Sequence, residues 1–216
     1  MKVDKNLIKK YLIFTLGLMV FGAGIAFSNK SLFGGNPMAV LVGGMSKHLP
    51  LSFGTCNLIA GIIEVIVGYV CDKKNVTFAT FFGLFCGSYS IDLASLFIPT
   101  SDNIYTRFIY MIVGVLLYTL GIAIQQLGKI GYSNLDCFIF GLGKKFKIHE
   151  YHSIRWIVDC SFVAIGYFLG GVVGFGTLVL LLFSGVFVEF YLDLLKRIFK
   201  WLNQVNINIS KAIIMK

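Results

Sequence analysis

The chain is written twice, at one fixed offset. Moving it by 97 positions sets Gly24, Ile25 and Ala26 on Gly121, Ile122 and Ala123, and Gly17, Gly34 and Gly44 on Gly114, Gly131 and Gly141. The same ungapped shift puts Lys47 on Lys144, Phe78 on Phe175, Thr80 on Thr177 and Leu84 on Leu181, and it exchanges one acid for another, Asp92 for Glu189. Each copy consists mostly of apolar stretches of about 20 residues, the length a helix needs to cross roughly 30 Å of hydrocarbon. Repeats inside a multi-pass chain mark architectures that keep a binding site between their halves. The expected layout is a single transmembrane domain over residues 1–200. Repeat one covers about 11–99 and repeat two about 108–196, with an interfacial or disordered tail at 201–216.

Charge supports the membrane reading and excludes others. Only 13% of the residues are charged, against roughly a quarter in soluble chains, and the mean hydropathy is +0.83. The formal charge of +9 is not a nucleic-acid signature, because no aromatic-basic module accompanies it. Its lysines instead flank the first and last apolar segments, as Lys2, Lys5, Lys9 and Lys10, then Lys196, Arg197, Lys200, Lys211 and Lys216. Basic flanks mark the cytoplasmic side and contact anionic lipid, so both termini are expected there, with Trp201 as an interface anchor. The 5 cysteines have no ligand spacing and read as packing residues, so no metal and no cofactor are expected.

The expected fold is all-α and polytopic, with six transmembrane helices near 9–29, 51–71, 77–98, 106–127, 150–169 and 175–197. Polar or glycine-rich breaks at 72–75, 99–103 and 170–176 separate them. Between the first and second span of each copy lies a shorter element, from Asn36 to Lys47 and from Ser133 to Lys144. Both open with helix-start chemistry. Asn36 suits an N-cap and Pro37 the first helical position, while Ser133 with Asp136 three residues on reads as a capping box. At about 18 Å each is too short to span. Neither shows the charged face of a surface helix, so both are expected as buried half-helices. If they do not cross, each copy has three spans and the second copy is inverted; if they do, the copies run parallel. Basic-residue placement does not separate these topologies, so the inverted expectation rests on length alone.

Ionisable groups within apolar spans are costly unless paired or hydrated, and they form the candidate site. Glu64 sits mid-span with Asn57 two turns earlier and no basic residue one turn away on its own helix. Arg155 and Asp159 share a face four residues apart, and Arg155 is a candidate partner for Glu64. Asp92 and Glu189 hold equivalent positions near span ends. Of the histidines, His48, His149 and His152 flank spans, and only His152 lies close to Arg155. The half-helix N-termini at Asn36 and Ser133 carry partial positive charge and attract anionic groups. Gly34, Gly35 and Gly131 would let a solute approach the backbone.

The run Gly22-Ala23-Gly24-Ile25-Ala26, then Asn36-Pro37, Met45-Ser46-Lys47 and Leu51-Ser52-Phe53-Gly54-Thr55, resembles the YczE/YyaS/YitT family of bacterial membrane proteins. Arg155-Trp156-Ile157-Val158-Asp159, Gly174-Phe175-Gly176-Thr177-Leu178 and Glu189 extend the resemblance over about 11–195. Two positions depart from the family: Asp159, where it commonly has Glu, and Met38-Ala39, where an aromatic-acid pair is typical. The resemblance implies an inner-membrane location and this helical fold; the family has no settled molecular activity.

The leading expectation is a transporter or channel-like permease for a small polar or anionic solute. Its expected partners are the lipid bilayer, that solute, and a membrane partner protein or a second copy of itself. The rival is a membrane-embedded accessory subunit that binds partner helices without transport. An enzyme is not expected, because the acids are too scattered for an acid–base pair and no nucleophile motif occurs.

Overall fold

The computed structural model describes residues 5–128, 130–148 and 150–214, with only the helical backbone for 5, 6, 199 and 201–214. Expectations about the side chains of Lys2, Lys5, His149, Trp201 and the rest of the tail lie outside the described residues. The fold is all-helical, with no strand among the described residues. Among the described residues eight α-helices follow in order: α1 (Lys5–Ser31), α2 (Pro37–His48), α3 (Phe53–Cys71), α4 (Phe78–Phe97), α5 (Ile104–Gly128), α6 (Asn134–Phe146), α7 (Tyr151–Phe168) and α8 (Phe175–Ile214). A single 3-10 turn occupies Lys73–Asn75.

Five helices are long and apolar enough to cross a bilayer: α1, α3, α4, α5 and the first part of α8. The chain is therefore a multi-pass membrane protein. The segment expected as a sixth span is α7, whose 18 residues include His152, Arg155 and Asp159 and are less apolar than the other five. Helix starts follow local chemistry. Asn36, Ser52 and Ser133 each cap the helix that follows by accepting from the backbone N–H three residues on, at 2.8–3.1 Å. At α6 the expected box is modified: the Asp136 carboxylate takes the Ser133 hydroxyl (2.8 Å) rather than a backbone donor.

The centre of the molecule is the crossing of α1 and α5. A Cβ added at Gly17 would lie 2.7 Å from Gln125 N, and one at Gly114 would lie 2.8 Å from Ser28 N. Likewise a Cβ at Gly24 would overlap the backbone of Tyr118, and one at Gly121 that of Phe21. Numbers rise on α1 as they fall on α5, so the two helices run antiparallel. Each contact also has a mate under the 97-residue shift: 17–125 with 114–28, and 24–118 with 121–21. The Phe21 and Tyr118 rings, 5.3 Å apart, are mates of each other and sit at the midpoint of the crossing.

The short helices cross over to the other half. Helix α2 packs on α7, and α6 packs on α3. From Pro37 to Ser46 no residue of α2 is exposed, and Cys137, Ile139, Gly141 and Gly143 of α6 are buried. Neither short helix lies loose on the surface. Their closing lysines do equivalent jobs. Lys144 Nζ pairs with Asp72 Oδ1 at the C-terminal end of α3 (2.9 Å), and Lys47 Nζ donates to Gly170 O beyond the end of α7 (2.6 Å). His48 Nε2 adds a bond to Leu169 O at 3.1 Å. Cations suit helix C-termini, where carbonyls lack partners.

Two predictions follow from this frame. Because the α1–α5 contact is backbone against backbone, Gly121→Val and Gly24→Val should each destabilise by about 1–3 kcal/mol or block folding, whereas Val at the open Gly185 should not. Thermal unfolding of the three variants in detergent checks this. The second concerns Asp72. The hydrogen bond from Lys144, ahead of the Lys74 backbone N–H, holds its carboxyl below the usual carboxylate range. A depressed folded-state pKa contributes stability above the unfolded pKa, and that contribution is lost as pH falls through the folded value. Wild type should therefore outlast Asp72→Asn at neutral pH, and the gap should close on acidification below the ordinary carboxylate range, as pH-dependent melting curves would report.

Candidate functional site

The N-terminal ends of both short helices open on one cavity of about 230 Å³ between the two halves. Asn36 and Ser133 both line it, together with Asn57, Glu64, Asp136 and Arg155. Those positions are scattered from 36 to 155 in sequence. The fold gathers them because α2 and α6 each stop at the centre and exchange halves. Asn57 and Arg155 stand at corresponding places on α3 and α7, 98 residues apart, one residue beyond the general offset.

Glu64 on α3 is 3% exposed. Its Oε2 accepts from Asn134 Nδ2 at 2.5 Å, which ties α3 to the first turn of α6 and places a carboxylate at that helix's positive end. Its Oε1 is buried without a partner. The partner expected for it, Arg155, is engaged elsewhere. Arg155 Nε donates to Asp159 Oδ2 at 3.2 Å, and its Nη1 donates to the Tyr151 hydroxyl at 3.1 Å. Tyr151 in turn donates to Asp136 Oδ1 at 2.7 Å. The result is a continuous chain, Asp159–Arg155–Tyr151–Asp136, that joins α7 to the start of α6 and links the guanidinium to Asp159 directly and to Asp136 through the Tyr151 hydroxyl. A partly buried ion pair gains from further bonds to its neighbours, and Ser133 extends the chain with a bond to Asp136 Oδ2.

Other expected site residues lie elsewhere. Asp159 stands behind Arg155 and does not line the cavity. Asp92 is a cap: its Oδ1 takes the Gly54 N–H at 2.7 Å and its Oδ2 takes the Ser52 hydroxyl, which closes the N-terminus of α3 against α4. Its counterpart Glu189 is exposed on α8 and has no hydrogen bond or ion pair among the described residues. Pro37 fills the first position of α2, as expected from its missing donor. Gly131 lines the cavity, while Gly34 and Gly35 line a separate pocket of about 180 Å³ beside Lys47. Gly34 has φ +86°, and a Cβ there would strike Gly174 and Thr177, so protein already fills the approach it was expected to leave for a solute.

Sequence reasoning passed over several lining residues. Gln125 and Gln126, two amides at the end of an apolar run, were a legible signal, and Gln125 Nε2 is buried without a partner. Tyr118 and Tyr151 gave no signal of their own, since tyrosines abound in this chain. Asn134 was hidden behind the more obvious cap at Ser133.

Comparisons with known proteins attach no activity to the chain. A protein from Haemophilus influenzae described as uncharacterised is 23% identical over 187 residues, covering 87% of this chain and 84% of that protein. YyaS of Bacillus subtilis, likewise uncharacterised, is 22% identical over 196 residues, covering 88% of this chain and 96% of its own length. No solved structure matches. A family model described as a family of unknown function, DUF6198, matches residues 8–193, and the chain belongs to that family.

Proposed function

We propose that this protein is a permease for a small polar solute in the bacterial cytoplasmic membrane. Both termini are cytoplasmic, α7 serves as a sixth span, and the kinship with YyaS extends to YczE and YitT. The two halves are inverted repeats of three spans, each with a half-helix. Support for inversion comes from α1 and α5: an antiparallel crossing whose contacts exchange under the 97-residue shift has its twofold axis perpendicular to both helices. The observation that carries the function is the cavity itself. Half-helices from both halves end in it, and it holds ionisable groups that would be costly to bury without a task. Of the two solute classes expected, the anionic one fits less well, because Glu64 and Asp136 already occupy the positive end of α6.

The halves differ in a way that suits alternating access. In the first half α4 packs along α3, latched by Asp92 at the α3 N-terminus. In the second half α7 and α8 scarcely touch, the N-cap Glu150 makes no side-chain capping bond, and Glu189 is free. Ser88 packs on Gly54, yet its counterpart Gly185 has nothing within 4 Å of a built Cβ. Exchange of these two arrangements would close α8 on α7 with Glu189 at the α7 N-terminus and release α4. The same uncovered α8 favours the rival reading, an accessory subunit that docks partner helices there.

Two measurements separate the readings. Spin labels at Ser153→Cys and Gly185→Cys, with native cysteines replaced, should report two distance populations that exchange; one long distance under all conditions counts against alternation. Proteoliposomes assayed by light scattering with a panel of small solutes should show a selective flux that Glu64→Gln lowers by about tenfold or more. A stoichiometric membrane partner with no flux of any probe would favour the accessory role.

A further inference from the structure

The cavity carries two unmet demands among the described residues, one for a donor and one for an acceptor. Arg155 has its charge matched by Asp159, and both oxygens of Asp136 are bonded. Glu64 alone keeps a buried oxygen without a donor, at 3% exposure, and Gln125 Nε2 keeps a buried donor without an acceptor. Both line the same cavity. A buried carboxylate oxygen without a partner costs several kcal/mol or must acquire one. A proton or a neutral donor would meet the hydrogen-bond demand alone, whereas a cationic donor would meet the charge as well, and an acceptor on the same molecule would satisfy Gln125.

The walls narrow the class further. Phe21, Tyr118 and Tyr151 all line the cavity, and the first two rings lie 5.3 Å apart. Aromatic faces attract organic cations, and they offer nothing to a bare metal ion, which requires several oxygen ligands at once. At about 230 Å³ the space is smaller than the roughly 300–1,000 Å³ of drug-sized sites. We propose that the cavity binds a small organic ammonium ion bearing a hydroxyl or carbonyl oxygen. The ammonium sits at Glu64 Oε1 between the aromatic walls, and the oxygen accepts from Gln125 Nε2. The inference deepens the permease reading by naming its solute class, and as a binding claim it stands apart from flux.

The test uses the purified full chain in detergent, with binding read by calorimetry. Ethanolamine should bind saturably; ethylene glycol, acetate and sodium should neither bind comparably nor compete. Glu64→Gln should weaken ethanolamine by about tenfold or more. Gln125→Met should weaken ethanolamine while leaving methylammonium nearly unchanged, which a general loss of fold would not do. Absence of saturable ethanolamine binding, equal binding by acetate or ethylene glycol, or undiminished binding by a folded Glu64→Gln would each overturn the proposal. Ethanolamine binding without flux of any solute would retire the permease and leave this inference standing. Flux of a solute that no amine displaces would do the reverse.

Discussion

The architecture depends on two backbones approaching closely where α1 meets α5. In lipid there is no hydrophobic gain from burying one apolar helix against another, because hydrocarbon already surrounds both. Association then relies on dispersion contacts at short range, which small residues permit. Gly17 and Gly24 on one helix, and Gly114 and Gly121 on the other, remove the side chains that would hold the pair apart. The Phe21–Tyr118 ring pair fills the remaining space at the midpoint. Everything else is hung symmetrically on this contact. Each half sends its short helix across to the third helix of the other, and each short helix ends in a lysine that takes up acceptors at that helix's C-terminal end.

That exchange explains why polar groups can be kept at the centre of so apolar a chain. A helix that stops partway exposes unpaired N–H groups at its start. Asn36 and Ser133 satisfy some of them with their own side chains, and Glu64 reaches the start of α6 from α3 through Asn134. Arg155 is held by Asp159 and Tyr151, and Tyr151 passes the connection on to Asp136. Together they make a polar cluster of separate links, in which Glu64–Asn134 joins the two halves and the Asp159–Arg155–Tyr151–Asp136–Ser133 chain ties α7 to the start of α6. What it leaves unsatisfied, Glu64 Oε1 and Gln125 Nε2, is concentrated in the cavity rather than scattered through the packing.

Much of this was legible in the sequence, for identifiable reasons. Five of the six expected spans, two short elements, their caps at Asn36 and Ser133, and the matched lysines all follow from local patterns that need no knowledge of packing. The pairing of Glu64 with Arg155 was not legible correctly. Charge complementarity suggested it, but Asp159 is one turn away on the same helix and won the guanidinium. Asp92 and Glu189 were read together because they align, yet only Asp92 reaches a helix start. Sequence equivalence predicts equivalent roles only if both halves adopt the same conformation, and here they do not. Gln125 was missed because attention went to charged residues, whereas an amide buried without a partner also carries a cost.

The difference between the halves bears on mechanism more directly than their likeness. A duplicated unit could pack as two identical halves, and such a cavity would be equally closed to both sides. Here one half has its third span latched to its second by a capped helix start, while the other leaves the corresponding start uncapped and the corresponding acid free. Glu189 on α8 is exposed toward the end of an apolar stretch, one turn before Asp193, and makes no bond among the described residues. Closing α8 on α7 would give it N–H donors at the α7 start, just as Asp92 has at α3. Opening α4 would cost Asp92 the same donors. If the two arrangements alternate as proposed, they exchange one capped helix start for another, and that exchange keeps the energy difference between them small. An equilibrium that a bound solute can shift by its own differential affinity requires such a balance.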